Sequence, residues 1–333
     1  MKIAFFEIRD WEKKILKQLV KGHSLSFYGE PLTEENSKKA GSADVISVFI
    51  HSKINLNILR KLPKLKLITT RSTGFDHINI KECKKRKIKV MNVPTYGENT
   101  VAEHTFALLL AMSRKVHKSY LRTIKNDFTI DGLKGFDLKG RTLGVLGVGK
   151  IGKHVIRIAR GFEMSVLAYD RNPDEFLAEQ LNFRYVPLKQ MLKKSDIVTI
   201  HIPYTKENHH LINKKTLPLF KKGAILLNTS RGAIIDNEAL LLGLKKRIFS
   251  GLGLDVIEGE KLIEEEFLLS HEEDRDEAIQ TFIEDHKIID NENVVFTPHI
   301  AFFSQEALER ILEQTAENIN SFVAGKPTSS LIS

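Results

Sequence analysis

Short apolar runs alternate with amphipathic stretches along the whole chain, the pattern of parallel sheets covered on both faces by helices. In the first hundred residues the runs fall at 3–6, 45–50, 65–69 and 88–91, with amphipathic segments at 11–20 and 34–40 between them. Thr33 and Asn36 offer N-terminal capping chemistry to the second segment. A second series begins at Arg141, with strands expected at 142–147, 165–169, 197–201, 224–228, 251–255 and 294–297. Helices are expected at 151–160, 187–194, 214–220, 237–245 and 305–323. Pro187 suits the first turn of its helix, where a missing N–H is no loss. Between the two series, 99–116 reads as one helix. Its run Phe106-Ala-Leu-Leu-Leu-Ala-Met112 leaves no polar face, so it is expected to be buried between layers. Residues 126–139 read as loop, and 260–293, acidic and without a strand pattern, as an insertion over the surface.

A chain of 333 residues is too long for one ordinary core, so two domains are expected. Hydrophobic residues at 42% and charged residues at 28% supply material for both cores. The single cysteine, Cys83, excludes an internal disulfide and fits a reducing compartment. It lies in Lys81-Glu-Cys-Lys-Lys-Arg-Lys87, a basic setting that lowers a thiol pKa, yet no histidine and acid pair stands beside it. A bystander thiol is expected. Met1-Lys-Ile-Ala-Phe-Phe-Glu7 meets a charge too early for a signal peptide, and no run approaches the ~18 apolar residues of a membrane span. A soluble, cytoplasmic protein with no membrane partner is expected. The net charge of +9 is interspersed with 42 acids, and the densest basic run, 84–87, reads as the exposed end of a helix. Aromatic residues are not interleaved with the basic ones, so no nucleic-acid partner is expected, and no metal either.

Gly147-Val-Gly-Lys-Ile-Gly152 follows a strand and opens a helix, the context in which a glycine fingerprint carries meaning. Gly147 permits the tight turn, Gly149 admits a pyrophosphate, and Gly152 lets helix and strand pack closely. The N–H groups of Lys150 and Ile151 can receive the phosphate charge. The next strand ends in Asp170, near the usual ~20-residue spacing for an acid that binds the ribose hydroxyls. A carboxylate there repels the extra phosphate of NADP, so NAD is the expected cofactor. The plain alternative makes Asp170 a turn-capping residue, and Arg171 beside it leaves room for some NADP use.

Arg231, Glu260 and His299 stand at or beyond the ends of late strands, where open parallel sheets place ligands. A 2-keto acid needs a fork of donors for its carboxylate, which Arg supplies. It needs a proton donor for its carbonyl, which His supplies near neutral pH, and a carboxylate behind the imidazole favours the charged form. Taken singly, Arg231 reads equally as a helix-start residue, Glu260 as a solvated acid and His299 as a core histidine.

Together with 140–152, Asn228-Thr-Ser-Arg-Gly232, the Leu-Asp-Val stretch leading to Glu260 and Thr297-Pro-His299, these residues carry a resemblance. Over nearly its whole length the chain resembles the D-isomer-specific 2-hydroxyacid dehydrogenase family. The resemblance implies Arg231, Glu260 and His299 as catalytic residues, with Thr73 and Gly74 cradling the substrate carboxylate. It implies Ile202, Pro203, Asn208, Thr229, Ser230 and Asp255 as cofactor contacts, Asp255 facing the nicotinamide carboxamide. It also implies two doubly wound α/β domains with parallel sheets. A Rossmann nucleotide-binding domain, 100–297, is inserted into a flavodoxin-like substrate domain, 1–99 with 298–333. The helix 99–116 then becomes the main contact of a homodimer.

Ile300-Ala-Phe-Phe303 after the histidine looks like the D-lactate dehydrogenase branch, as does Tyr96. Phe302 would narrow the pocket and favour the methyl group of pyruvate. The branch often has Ser-Pro after that tyrosine, where this chain has Gly97-Glu98. Pyruvate reduction to D-lactate is the expected reaction. A glyoxylate or hydroxypyruvate reductase is the alternative within the family. An NAD-sensing corepressor, a binding protein on the same fold, is disfavoured because no long disordered tail is expected, and no appended regulatory domain is expected after Ser333.

Overall fold

The computed structural model describes residues 1–260, 275–327 and 330–332. The chain divides into two compact units, Met1–Gly97 with Phe303–Ser333, and Glu98–Phe302.

The first unit is built on five parallel strands, β1 (Lys2–Phe5), β2 (Ser24–Phe27), β3 (Val45–Val48), β4 (Leu67–Thr70) and β5 (Lys89–Met91), in the order β2-β1-β3-β4-β5. This is the flavodoxin-like order. Its strands read as continuous apolar runs because both faces are covered. Ile3, Phe5, Val45 and Leu67 point one way and pack with Leu16 of α1 (Asp10–Leu19) and with Leu312 and Ile319 of the last helix, Gln305–Val323. Ala4, Phe6, Ile46, Val48 and Ile68 point the other way, onto Ile58 of α2 (Leu56–Arg60) and Cys83 of α3 (Ile80–Lys85).

The second unit opens with α4 (Glu98–Ser113) and α5 (Val116–Thr123) and holds seven parallel strands. These are β6 (Thr142–Leu146), β7 (Ser165–Tyr169), β8 (Arg184–Tyr185), β9 (Ile197–Ile200), β10 (Ala224–Asn228), β11 (Phe249–Leu254) and β12 (Val294–Phe296). They lie in the order β12-β11-β10-β9-β6-β7-β8, so the direction of winding reverses between β6 and β9. That is the doubly wound Rossmann arrangement, with its ligand crevice at the reversal. One face packs on α4, α6 (Lys150–Gly161) and α7 (Glu175–Leu181), the other on α8 (Leu188–Lys194), α9 (Asn237–Lys245) and the helix Arg275–Ile289. Gly251 and Gly253 let α4 lie close on β11: a Cβ at Gly251 would fall 2.5 Å from the Met112 Cε.

Several expectations need correction. The segment 214–220 forms only a short 3₁₀ turn, Leu217–Leu219, because Pro218 removes a helical donor and disfavours helix for its predecessor. Segment 34–40 is likewise a 3₁₀ turn, Ser37–Ala40, and Thr33 and Asn36 instead bond each other's backbone. The long helix 99–116 is two helices. Ser113 O accepts the Phe136 N–H, and Lys115 turns the chain with φ 56° before α5. Within 260–293, the helix Arg275–Ile289 is part of the core rather than a surface insertion, since Ile288 and Asp285 are fully buried. Residues 261–274 lie outside those described. Cys83 is buried, and burial pushes its thiol up to about 11, against the lowering expected from its lysines. No helix among the described residues is long and apolar enough to cross a membrane.

Candidate active site

A parallel sheet brings every strand-to-helix loop to one edge, so residues distant in sequence meet there. Gly147 follows β6, Asp170 follows β7, Ile202 follows β9, Arg231 follows β10, Asp255 follows β11 and His299 follows β12.

The glycine turn has the shape a dinucleotide requires. Gly147 has φ 95°, and a Cβ there would lie 2.6 Å from the Ile202 Cγ2. At Gly152 a Cβ would fall 2.2 Å from the Gly147 carbonyl oxygen. A Cβ at Gly149 would meet nothing within 4 Å, and no side chain caps α6, which leaves the first-turn N–H groups of Lys150 and Ile151 uncapped by a side chain. Asp170 accepts the Val148 N–H at 2.8 Å and the Asn172 N–H at 2.9 Å. The second bond is the turn cap of the plain reading; the first ties the carboxylate to the glycine turn. The neighbouring loop is shaped from inside by Asn208, which donates to the Pro203 carbonyl at 2.7 Å and accepts the Thr205 N–H at 2.8 Å. Asn208 is buried, so the structure gives it a loop-forming part. His201 is buried, and burial pushes its imidazole down to about 3, so it stays neutral.

Arg231 is placed by Asn228, whose side chain accepts from Ser230 and donates to the Arg231 carbonyl at 2.9 Å. Gly232 lets this loop press on the next, since a Cβ there would lie 2.2 Å from the Ile257 carbonyl. Thr229 is buried and pairs its hydroxyl with Thr105 of α4 at 3.0 Å. Glu260 Oε1 lies 3.1 Å from His299 Nδ1, and both side chains are about a quarter exposed (25% and 29%). The other Glu260 oxygen is buried with no hydrogen-bond partner among the described residues. Burial alone would push the His299 imidazole down. The hydrogen bond and charge of Glu260, helped by Asp255, outweigh it against the opposing charge of Arg231, so His299 stays above the usual histidine range. The three polar residues therefore meet, and the imidazole they hold is disposed to carry a proton.

In the first unit, Thr73 and Gly74 follow β4, and their N–H groups have no hydrogen-bond partner among the described residues. Their carbonyls are taken by Asn92 and Ser72 at 2.8 and 2.6 Å, which fixes the turn. Tyr96 is half-buried, its carbonyl bonded by Arg310 at 2.5 Å. Phe302, at the end of the second unit, is half-buried.

Sequence reasoning passed over His104, which lies 2.9 Å from the Thr297 hydroxyl and 3.4 Å from Asp255. A histidine inside an otherwise apolar helix was the available signal. It also passed over the pair His210–Glu258, whose members come from separate loops and share no local motif.

Residues 106–301 match the family described as D-isomer specific 2-hydroxyacid dehydrogenase, NAD binding domain. A D-lactate dehydrogenase of Escherichia coli is 34% identical, covering 98% of each chain. A glyoxylate reductase of Thermococcus litoralis is 32% identical over 100% of this chain and 96% of its own. Among solved structures, a D-lactate dehydrogenase of Aquifex aeolicus complexed with NAD and lactic acid superposes with TM-score 0.85. It is 36% identical and covers 97% of this chain and 96% of its own.

Proposed function

Since the chain belongs to the D-isomer-specific 2-hydroxyacid dehydrogenases, on their D-lactate dehydrogenase branch, and takes NAD as cofactor, we propose that it reduces pyruvate to D-lactate with NADH. The observation that carries the chemistry is the Glu260–His299 pair at 3.1 Å. Glu260 holds Nδ1, which leaves Nε2 as the nitrogen that gives its proton to the carbonyl oxygen of the substrate. Bound over Gly147, Gly149 and Gly152, with Asp170 at its ribose, the cofactor supplies the hydride. Arg231 receives the substrate carboxylate through its guanidinium, and its charge polarises the carbonyl. Thr73 and Gly74, whose N–H groups have no hydrogen-bond partner among the described residues, are assigned to substrate carboxylate binding by the family resemblance. Ile202, Pro203, Thr229 and Ser230 are assigned to the cofactor.

Pyruvate is favoured over larger or more polar acids by Phe302 after the histidine and by Tyr96, and the Aquifex aeolicus relative was solved with lactic acid. Unit Glu98–Phe302 is taken as the nucleotide domain and the remainder as the substrate domain. The glyoxylate reductase similarity favours the second reading, a glyoxylate or hydroxypyruvate reductase. Steady-state assay with NADH on pyruvate, phenylpyruvate, hydroxypyruvate and glyoxylate, with product chirality measured, separates them. Pyruvate with a D product is expected to give the highest kcat/KM. A higher value on glyoxylate or hydroxypyruvate would replace the D-lactate reading with the second one.

A further inference from the structure

Outside this site, His209, His210 and Glu258 bring three metal-ligand side chains together, their donor atoms all within 4.8 Å of one another. The histidines come from the loop after β9, and Glu258 from the segment after β11. His210 Nε2 lies 2.8 and 2.9 Å from the two Glu258 oxygens. The His209 ring stacks on that of His210 with centroids 3.8 Å apart. His210 and Glu258 are partly open to solvent and His209 is exposed, so an ion can reach all three.

A further carboxyl group lies behind the cluster. Asp285 is fully buried behind Glu258, and its Oδ2 has no hydrogen-bond partner among the described residues. That oxygen presses on Gly259, where a Cβ would come within 2.1 Å of it, and the Glu258 charge acts on it.

We propose that His209, His210 and Glu258 form a binding site for a divalent transition-metal ion of the zinc class. Two imidazole nitrogens and one carboxylate oxygen suit zinc and its neighbours, whereas magnesium and calcium take oxygen ligands. Zinc holds these atoms at about 2.0–2.2 Å, which places ligand atoms farther apart than the present His210–Glu258 contact. The ion therefore enters between His210 and Glu258 in place of their shared proton, and the exposed His209 ring swings to complete three ligands, with water as the fourth. No metal was expected from the sequence, where two adjacent histidines and a glutamate far along the chain form no recognisable spacing. The site has a consequence for catalysis: Glu258 stands on the same short segment as Glu260, so a bound ion fixes the stretch that presents the carboxylate to His299.

Dialysis of the intact chain against micromolar zinc chloride, followed by metal analysis, is expected to retain one zinc per chain. His209→Ala leaves the His210–Glu258 pair in place and is expected to weaken zinc binding roughly tenfold or more. Glu258→Gln is expected to do the same. Cobalt(II) in place of zinc is expected to give the visible ligand-field absorption of a four-coordinate site in the parent and to lose it in His209→Ala. Circular dichroism establishes that each variant is folded. No retained zinc, or equal zinc affinity in the parent and in folded His209→Ala, overturns the proposal, the second result placing the ion on other histidines.

Discussion

Asp255 holds the backbone of His299. Its carbonyl accepts the His299 N–H at 2.9 Å, and its carboxylate accepts the Thr297 hydroxyl at 2.6 Å and the Ile300 and Ala301 N–H groups at 2.9 Å each. His299 sits at φ 50°, a left-handed conformation that costs a non-glycine residue on the order of 1 kcal/mol. The Asp255 bonds offset that cost and aim the ring at Glu260. The carboxylate expected to face the nicotinamide thus has its partners on the segment that carries the His299 imidazole.

Thr297→Val keeps the shape and removes one donor from this network. The loss of a hydrogen bond to a charged acceptor destabilises by roughly 1.5–3 kcal/mol. Thermal unfolding is expected at a lower temperature, and kcat is expected to fall with KM for NADH unchanged. A fall in NADH affinity alone would mean that the network serves the cofactor and not His299.

Asp170 tests the cofactor site. Its carboxylate is fixed by the Val148 and Asn172 N–H groups, so its charge is present where the adenosine ribose is assigned. NADH is expected to exceed NADPH by roughly tenfold or more in kcat/KM, and Asp170→Ser to erode the difference. Equal use of the two cofactors by the parent protein would remove Asp170 from this role.

How far the sequence carried the fold follows from what each residue pattern encodes. Apolar runs such as 45–48 and 224–228 were legible because strands buried on both faces need no alternation. The glycine turn was legible because its steric demands are local: only a residue without Cβ fits 2.2 Å from a carbonyl, as at Gly152. The short strands β2 and β8 escaped notice, being half-exposed and only four and two residues long. The Glu260–His299 contact spans two loops and was reached through family resemblance rather than periodicity. His210 and Glu258 had no such guide, since nothing in either local segment points to the other.

Assembly is the third test. The dimer contact expected from the apolar helix has little to offer, because Phe106, Leu108, Leu109 and Met112 are already buried within their own unit. Exposed apolar side chains come next in the chain: Tyr120 at 65%, Ile124 at 57%, Phe128 at 75% and Ile130 at 83%. Such a concentration is expected to form an interaction surface, with a second copy of the chain as its occupant. Light scattering is expected to give a dimer for the parent and a monomer for Ile124→Asp combined with Phe128→Asp. A monomeric parent at micromolar concentration would contradict the assembly.

Phe302 tests the choice of substrate. Its replacement by Ala enlarges the pocket if the ring faces the substrate side chain. Discrimination between keto acids is then expected to shift by ~1–3 kcal/mol, against pyruvate and toward phenylpyruvate. An unchanged ranking of substrates would place Phe302 away from the pocket and withdraw the main support for pyruvate.

The proton donor gives the sharpest test, because its sign can be worked out in advance. Burial disfavours the charged His299 ring, and the hydrogen bond and charge of Glu260, with Asp255, more than reverse that. Reduction of pyruvate needs the imidazolium, so its rate is present below the raised pKa and is lost as pH rises through it. Oxidation of D-lactate needs the neutral ring and is lost as pH falls through the same value. Glu260→Gln keeps the size and a hydrogen bond but removes the charge, while burial remains. The imidazole pKa must then fall, and the alkaline limb of reduction is expected to move to lower pH with NADH affinity little changed. His299→Ala is expected to lower turnover at every pH by roughly 10²–10⁴-fold, and Arg231→Ala to act mainly through substrate binding. If Glu260→Gln leaves the limb where it was, Glu260 is not what charges His299. Glu258 is a poor substitute, since both its oxygens face His210. The remaining acids, at 264–274, lie outside the described residues, and their replacement one by one would be the next experiment.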